Sequence, residues 1–233
     1  MSHDRRRFLG WLGGASLLGA AGIPVVGSSA RAATLPSHPT PVSDKWDVSW
    51  TDRVNGEHRA VFDSPEPADG AALFRAVAWC DHYKEVYNTE RARMSPVVVL
   101  RHTAIALTVN NEYWQRFKIG KELKMKDERG KWRETNPIST APAAPDDKPN
   151  EPNSFDREKY TLQRFIADGG IVLGCAWAFG EITSRIKKEE KLEQAAAAAR
   201  AREFLIPGIL LQPNGIFAVI RAQEAGCQYV MGS

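Results

Sequence analysis

Residues 95–102 read SPVVVLRH, and this stretch does most to decide the class of fold. Its four consecutive aliphatic residues, Val97 to Leu100, lack polar alternation, which is typical of a strand buried on both faces. Strands of that kind belong to parallel sheets with helices on both sides. A second run, IVLGC at residues 171–175, repeats the pattern. The two runs together predict an α/β protein with a mostly parallel sheet.

Strand and helix patterns alternate on either side of these two runs. We expect further strands at residues 58–63, 205–211 and 227–231, and helices at residues 70–88, 158–168, 179–202 and 216–224. This alternation predicts a three-layer α/β sandwich with about five strands. Pro207 indicates an edge or entry position for its strand, because proline cannot donate a hydrogen bond to a sheet ladder.

The first 32 residues have the order of regions found in an export signal. RRRFL at residues 5–9 carries a twin-arginine pattern, an apolar Gly- and Ala-rich stretch follows at residues 11–26, and Ala30-Arg31-Ala32 gives a small-x-small cleavage pattern. This order predicts a twin-arginine (Tat) signal peptide at residues 1–32. The apolar stretch is shorter than the roughly 20 residues of a membrane-spanning helix. We therefore expect cleavage, no membrane insertion afterwards, and a periplasmic or otherwise extracytoplasmic protein.

The signal also explains the net positive charge of the chain. Removing residues 1–32 takes away four of 31 basic and one of 28 acidic side chains, which leaves 27 of each. A balanced charge of this kind does not favour nucleic acid or an anionic membrane surface as a partner.

The rest of the chain divides into an arm and a domain. Residues 33–57, rich in Pro, Ser and Asp, predict an extended N-terminal arm in which two tryptophans dock on the domain. Residues 58–233 form the α/β domain. Within it, residues 119–155 break the alternation and predict an inserted polar loop, either a lid or an oligomer contact.

The cysteine pattern argues against a metal centre or a disulfide framework. Cys80, Cys175 and Cys227 are an odd number at wide spacing, without CxxC or HExxH patterns. No GxGxxG follows a predicted strand, so we expect no dinucleotide and no other cofactor.

Candidate site residues follow from the predicted strand ends. In open α/β sheets the ligand crevice lies at the carboxyl ends of the strands, where we place Asp63, His102 and Cys175. Cys175 also precedes a predicted helix, and thiolates are stabilised at helix N-termini and beside cations such as Arg101. Cys175 and His102 are the candidate catalytic residues. The alternatives are a Cys175 that only packs in the core and a His102 that holds a loop. Core packing is also the expected role of Cys80 and Cys227.

The order of these segments resembles the DsrE/DsrF-like sulfur-relay family. Four stretches carry the resemblance: RAVFD at residues 59–63, the strand ending at Arg101-His102, GGIVLGC at residues 169–175, and the C-terminal motifs LIPG, QPNG and QEAG at residues 205–208, 212–215 and 223–226. Together they span most of residues 58–233.

The resemblance implies a flavodoxin-like three-layer fold, usually as a homo-oligomer, with persulfide carriage on Cys175. Arg101, Asp63 and Trp177 are the candidate substrate-binding residues, and Trp177 with Phe179 is expected to close an apolar pocket. Two functions stay open. One is sulfur transfer or thiol redox chemistry through Cys175 with a sulfane-sulfur or thiol partner, and the other is a non-catalytic oligomeric binding module on the same fold.

Overall fold

A five-stranded parallel sheet lies at the centre of the computed structural model, which describes residues 41–42, 44–139 and 158–233. The strands are β1 (His58–Ser64), β2 (Met94–Leu100), β3 (Ile171–Cys175), β4 (Leu210–Gln212) and β5 (Gln228–Met231). Their order across the sheet is β4-β3-β2-β1-β5, and every neighbouring pair is parallel. Every residue of β2 and β3 is buried, as the apolar runs indicated. The predicted α/β, flavodoxin-like sandwich is confirmed.

Helices cover both faces of this sheet. They are α1 (Ala71–Tyr87), α2 (Asn111–Phe117), α3 (Ile119–Glu122), α4 (Leu162–Ala167), α5 (Ala176–Glu190), α6 (Gln194–Glu203) and α7 (Gly215–Glu224). A 3₁₀ helix, His102–Thr108, follows β2 directly. No helix in the described part of the chain is both long and apolar enough to cross a membrane.

Alternate residues of the strands face two separate cores. On one face Phe62, Val98 and Val172 pack with residues of α1, α4, α5 and α6. On the other face Val61, Val97 and Leu173 pack with α7 and with Trp50 of the N-terminal arm. Alternation of side chains along a strand gives these two cores from the same apolar runs.

The chain path reverses once across the sheet. It runs from β1 through β2 and β3 to β4 with helices on the first face, and α7 then returns on the opposite face to place β5 beside β1. The helices that leave β3 and β4 therefore lie on opposite faces. A crevice is expected between the carboxyl ends of two such strands.

Two predicted elements differ from the structure. The single helix expected over residues 179–202 is two helices, because Lys191 adopts a left-handed conformation (φ 53°) that ends α5. The strand expected over residues 205–211 is confined to Leu210–Gln212, since Pro207 and Gly208 (φ 88°) make a turn before it. Lysine and alanine have high helix propensity, so neither composition nor periodicity revealed the break at Lys191.

The predicted signal peptide lies outside the described residues, and so do residues 140–155 of the insertion. The described end of the arm contains a 3₁₀ turn, Ser49–Arg53, and Trp50 docks with 1% of its surface exposed. The described start of the insertion contains α3 and a short hairpin closed by an antiparallel bridge between Lys126 and Trp132. Its backbone turns at residues 127–130, where the Gly130 N–H donates a hydrogen bond to the Asp127 carbonyl at 2.9 Å.

Candidate functional site

A cavity of about 480 Å³ opens at the carboxyl ends of β2, β3 and β4. This volume lies within the range of about 300–1,000 Å³ that is usual for small-molecule pockets. The position is that of the crevice expected where the helices after β3 and β4 diverge. The cavity is lined by Arg101, His102, Thr103, Ile105, Ala106, Tyr113, Ile119, Glu122, Leu123, Cys175, Trp177, Ala178, Glu181, Ile182, Arg185, Asn214, Gly215 and Ile216.

Cys175 lies where β3 ends and α5 begins. It is the last residue of the strand and the N-cap of the 15-residue helix, with 7% of its surface exposed. Gly174 allows β4 to come close beside it, because a Cβ on Gly174 would lie 2.9 Å from the Leu211 side chain. Cys175 thus presents a free thiol to the cavity at a helix N-terminus, a position that stabilises negative charge.

Arg101 is held beside this thiol by a buried carboxylate. Its Nε and Nη2 donate hydrogen bonds to the two oxygens of Asp63 at 2.7 and 2.9 Å, and the Tyr229 hydroxyl donates to Asp63 Oδ2 at 3.2 Å. The hydrogen bonds to Asp63 raise the pKa of Arg101, and negative charge on Asp63, Tyr229 and Cys175 raises it further. The guanidinium therefore stays charged and interacts electrostatically with the Cys175 sulfur.

Asp63 does not itself line the cavity. We expected it to bind substrate. The residue is only 3% exposed, and its carboxylate accepts three hydrogen bonds from Arg101 and Tyr229. A buried carboxylate needs such partners to offset its desolvation. Asp63 therefore positions Arg101, which is the residue that reaches the cavity.

His102 marks the turn out of β2. It is exposed, lines the cavity, and has a left-handed backbone conformation with φ 50°. Histidine is among the residues that tolerate this conformation. Its ring forms no hydrogen bond or ion pair with the described residues.

Trp177 and Phe179 have different environments, although both follow Cys175. Trp177 is 78% exposed at the cavity wall, whereas Phe179 is 5% exposed and packs in the core below α5. Residues two apart on a helix face different sides. Only Trp177 of the expected pair therefore lines the cavity.

The N-terminus of α7 forms the wall opposite α5. Asn214 caps this helix by accepting a hydrogen bond from the Phe217 N–H at 2.8 Å. A Cβ on Gly215 would lie 2.4 Å from the Cβ of Arg101, so the glycine leaves the room that the arginine occupies. In the sequence Asn214 and Gly215 stand only within the QPNG motif, and their place beside Arg101 gives them a part in the site.

The far end of the cavity is apolar and closed by an ion pair. Arg185 donates a hydrogen bond from Nη2 to Glu122 at 2.7 Å, and this bonding lowers the pKa of Glu122. Beside the pair, burial raises the pKa of Tyr113 to about 12. Sequence reasoning missed these residues, because Glu122 lies in the segment taken as an inserted loop. The available signal was the helical spacing of Ala178, Ile182 and Arg185.

The other two cysteines lie away from the cavity. Burial raises the pKa of Cys80 to about 11 and that of Cys227 to about 12, and Cys227 packs in the core on the α7 side of the sheet. The three thiols are free. Within the described ranges, no group of three or more His, Cys, Asp or Glu residues is placed to hold a metal ion.

No protein-family model matches this chain, and no curated protein matches it either. The resemblance to the DsrE/DsrF-like family therefore stays a prediction.

Proposed function

We propose that this protein is an extracytoplasmic, DsrE-like sulfur carrier that takes up sulfane sulfur on Cys175 and passes it to a thiol. One observation supports this above all. Of the three cysteines, Cys175 is the one that lies in the cavity, at a helix N-terminus and beside a fixed arginine. Reactive cysteines occupy electropositive settings of this kind, whereas buried structural cysteines are inert.

The proposed reaction needs no outside oxidant or reductant. The Cys175 thiolate attacks the sulfane sulfur of a donor, a new S–S bond forms, and the donor's own S–S bond breaks with its electron pair on the leaving group. An acceptor thiolate then attacks the outer sulfur of the Cys175 persulfide and releases the Cys175 thiolate. Thiolate attack on a sulfur–sulfur bond is the general course of such exchange.

Two other residues have roles in this proposal. Arg101 stabilises negative charge on the thiolate and on the persulfide that replaces it. His102 is the proposed proton shuttle between the Cys175 thiol and solvent, because its exposed imidazole lines the same cavity as the thiol. Asp63 holds Arg101 in place and touches neither sulfur.

Mass spectrometry of the intact protein after exposure to inorganic polysulfide tests the proposal. We expect one added sulfur atom on Cys175 and its loss after addition of a small thiol. The Cys80→Ala and Cys227→Ala variants are matched controls and should load like the wild type, because burial raises the pKa of both thiols well above neutrality. An unmodified Cys175 under conditions that modify a free cysteine would reject the proposal.

A binding module without sulfur chemistry is the second candidate. It is favoured by the low exposure of Cys175, 7%, and by the apolar far end of the cavity. One variant distinguishes the two candidate functions. Cys175→Ser should abolish sulfur uptake if the first is right, and should leave ligand binding and function intact if the second is right.

The export route is proposed on the residues of the signal alone. Replacement of Arg5 and Arg6 by lysine should stop export, because the twin-arginine route requires the arginine pair. Immunoblots of cell fractions should then show the uncleaved precursor in the cytoplasm, whereas the same change at Arg31 leaves export intact. Equal export of both variants would contradict a Tat signal.

A further inference from the structure

The cavity beside Cys175 is larger and less polar than an inorganic sulfur donor needs. From the thiol it extends along one face of α5 past Ala178 and Ile182, and its opposite wall is formed by Ile119 and Leu123. Both Ile119 and Ile182 also belong to the buried core. An apolar chamber of about 480 Å³ offers a small dianion no hydrogen-bonding partners along most of its length.

The charged groups of the cavity do not favour a dianion either. Each of its two arginines already bonds one carboxylate, Arg101 to Asp63 and Arg185 to Glu122. Glu181 lines the wall as well and forms no ion pair with the described residues. The two arginines that line the cavity are thus accompanied by three carboxylates, namely Glu122 and Glu181 in the lining and Asp63 behind Arg101. Moving a doubly charged anion such as thiosulfate into this setting would cost desolvation energy, and each arginine in the described lining already has a carboxylate partner.

The thiol lies at one end of the cavity, and apolar walls separate it from an ion pair at the other end. Cys175, Arg101 and the N-terminus of α7 form one end, while Tyr113 and the Glu122–Arg185 pair close the other. A ligand with one reactive head and one apolar body matches this arrangement. The closing ion pair limits how long that body can be.

We propose that the cavity binds a small organic persulfide or thiol, with its sulfur at Cys175 and its apolar substituent between α5 and the segment at residues 119–123. The sulfur-transfer part of this proposal rests on the proposed function. The step is RSSH + Cys175–S⁻ → Cys175–SSH + RS⁻. The new S–S bond forms on Cys175, the donor's S–S bond breaks, and the organic thiolate leaves with the electron pair.

Binding without chemistry is measured first, by calorimetric titration of the Cys175→Ala protein with phenylmethanethiol. We expect saturable binding that the Ala178→Trp change weakens at least ~10-fold, because the indole fills the apolar chamber. Ala199 lies exposed on α6 outside the cavity, so Ala199→Trp is the matched control and should bind like its parent. Circular dichroism shows whether each variant folds.

A second measurement needs no cavity variant. In wild-type protein, saturating phenylmethanethiol should slow alkylation of Cys175 by iodoacetamide several-fold, as mapped by mass spectrometry. Phenylmethyl persulfide should load sulfur onto Cys175 at least ~10-fold faster than thiosulfate, a difference within the reach of one apolar pocket. Glu181→Gln should narrow that difference by making thiosulfate a better donor, whereas the exposed Glu85→Gln should not.

The outcomes separate the two proposals. Absence of phenylmethanethiol binding and of protection, with Cys175 still loaded by polysulfide, would overturn the organic ligand and leave sulfur carriage standing. Binding that Ala178→Trp abolishes, with no sulfur loading from any donor, would support the organic ligand and overturn sulfur carriage. Binding equally weakened by Ala199→Trp would place the ligand elsewhere and overturn the cavity assignment.

Discussion

At the scale of single residues, a buried carboxylate orients the arginine that lines the cavity. Asp63, the residue before the last of β1, accepts hydrogen bonds from Arg101 and Tyr229, so Arg101, which follows β2, is held in one orientation. A bidentate arginine–carboxylate pair fixes direction as well as charge. The reactive environment proposed for Cys175 therefore depends on a residue that does not touch the cavity.

The Asp63→Asn substitution tests this dependence, since it keeps the shape and removes the charge. We expect the free energy of unfolding to fall by about 1–3 kcal/mol, less than for a fully buried pair because the Arg101 side chain is 30% exposed. Loading of sulfur onto Cys175 should also slow.

Asp168→Asn is the matched control, because it removes an exposed pair with Arg164 at 2.9 Å. Urea denaturation should show a change of less than about 0.5 kcal/mol for this variant. Similar losses in both variants would mean that the buried pair at Asp63 has no special role.

At the scale of elements, the beginnings of α5 and α7 set the shape of the site. Both helices start at the cavity, one at Cys175 and the other at Gly215. Gly215 is required by a close approach, since a Cβ there would meet the Cβ of Arg101, an atom held near the backbone.

Gly215→Ala should therefore disturb the site, and Gly180→Ala should not. A Cβ on Gly180, inside α5, meets no atom within 4 Å. We expect Gly180→Ala to raise the free energy of unfolding by about 0.5–1 kcal/mol through lower chain entropy. Gly215→Ala should lower it and slow sulfur loading on Cys175. Thermal unfolding measures the stability of each variant, and the loading assay measures its rate of sulfur uptake on Cys175. Equal results for the two variants would contradict the close approach of Gly215 to Arg101.

At the scale of the whole molecule, burial gives the two structural cysteines a common effect on stability. The pKa of Cys80 is raised to about 11 and that of Cys227 to about 12, from an ordinary value near 9. Below about pH 9 both thiols keep their protons in the folded and in the unfolded chain. Above it the unfolded chain loses protons that the folded chain retains, so stability falls as the pH rises towards 12.

We therefore expect the free energy of unfolding to decrease between about pH 9 and about pH 11. The Cys80→Ala, Cys227→Ala double variant should lose less over this interval than the wild type, because it lacks the two shifted groups. Cys175→Ala is the control and should show the wild-type loss. Urea denaturation at several alkaline pH values measures this, and parallel curves for all three proteins would refute the link to burial.

The strands and most helices could be predicted because their signals are local. The apolar runs at residues 97–100 and 171–175 indicated the positions of β2 and β3, and the helix expected at residues 216–224 corresponds to α7. The break at Lys191 was missed, since a left-handed lysine leaves no mark in composition. Glu122 and Arg185 were missed because they are 63 residues apart in the chain.

By itself, the sequence determined the α/β class, the burial of the central strands and the placing of Arg101, His102 and Cys175 at strand ends. These follow from apolar periodicity and from the rule that parallel strands share one carboxyl edge. Only the tertiary structure decided that Asp63 serves Arg101, that Trp177 and not Phe179 lines the cavity, and that α3 completes its apolar end. Such pairings depend on distances between segments remote in the chain, which no local pattern encodes.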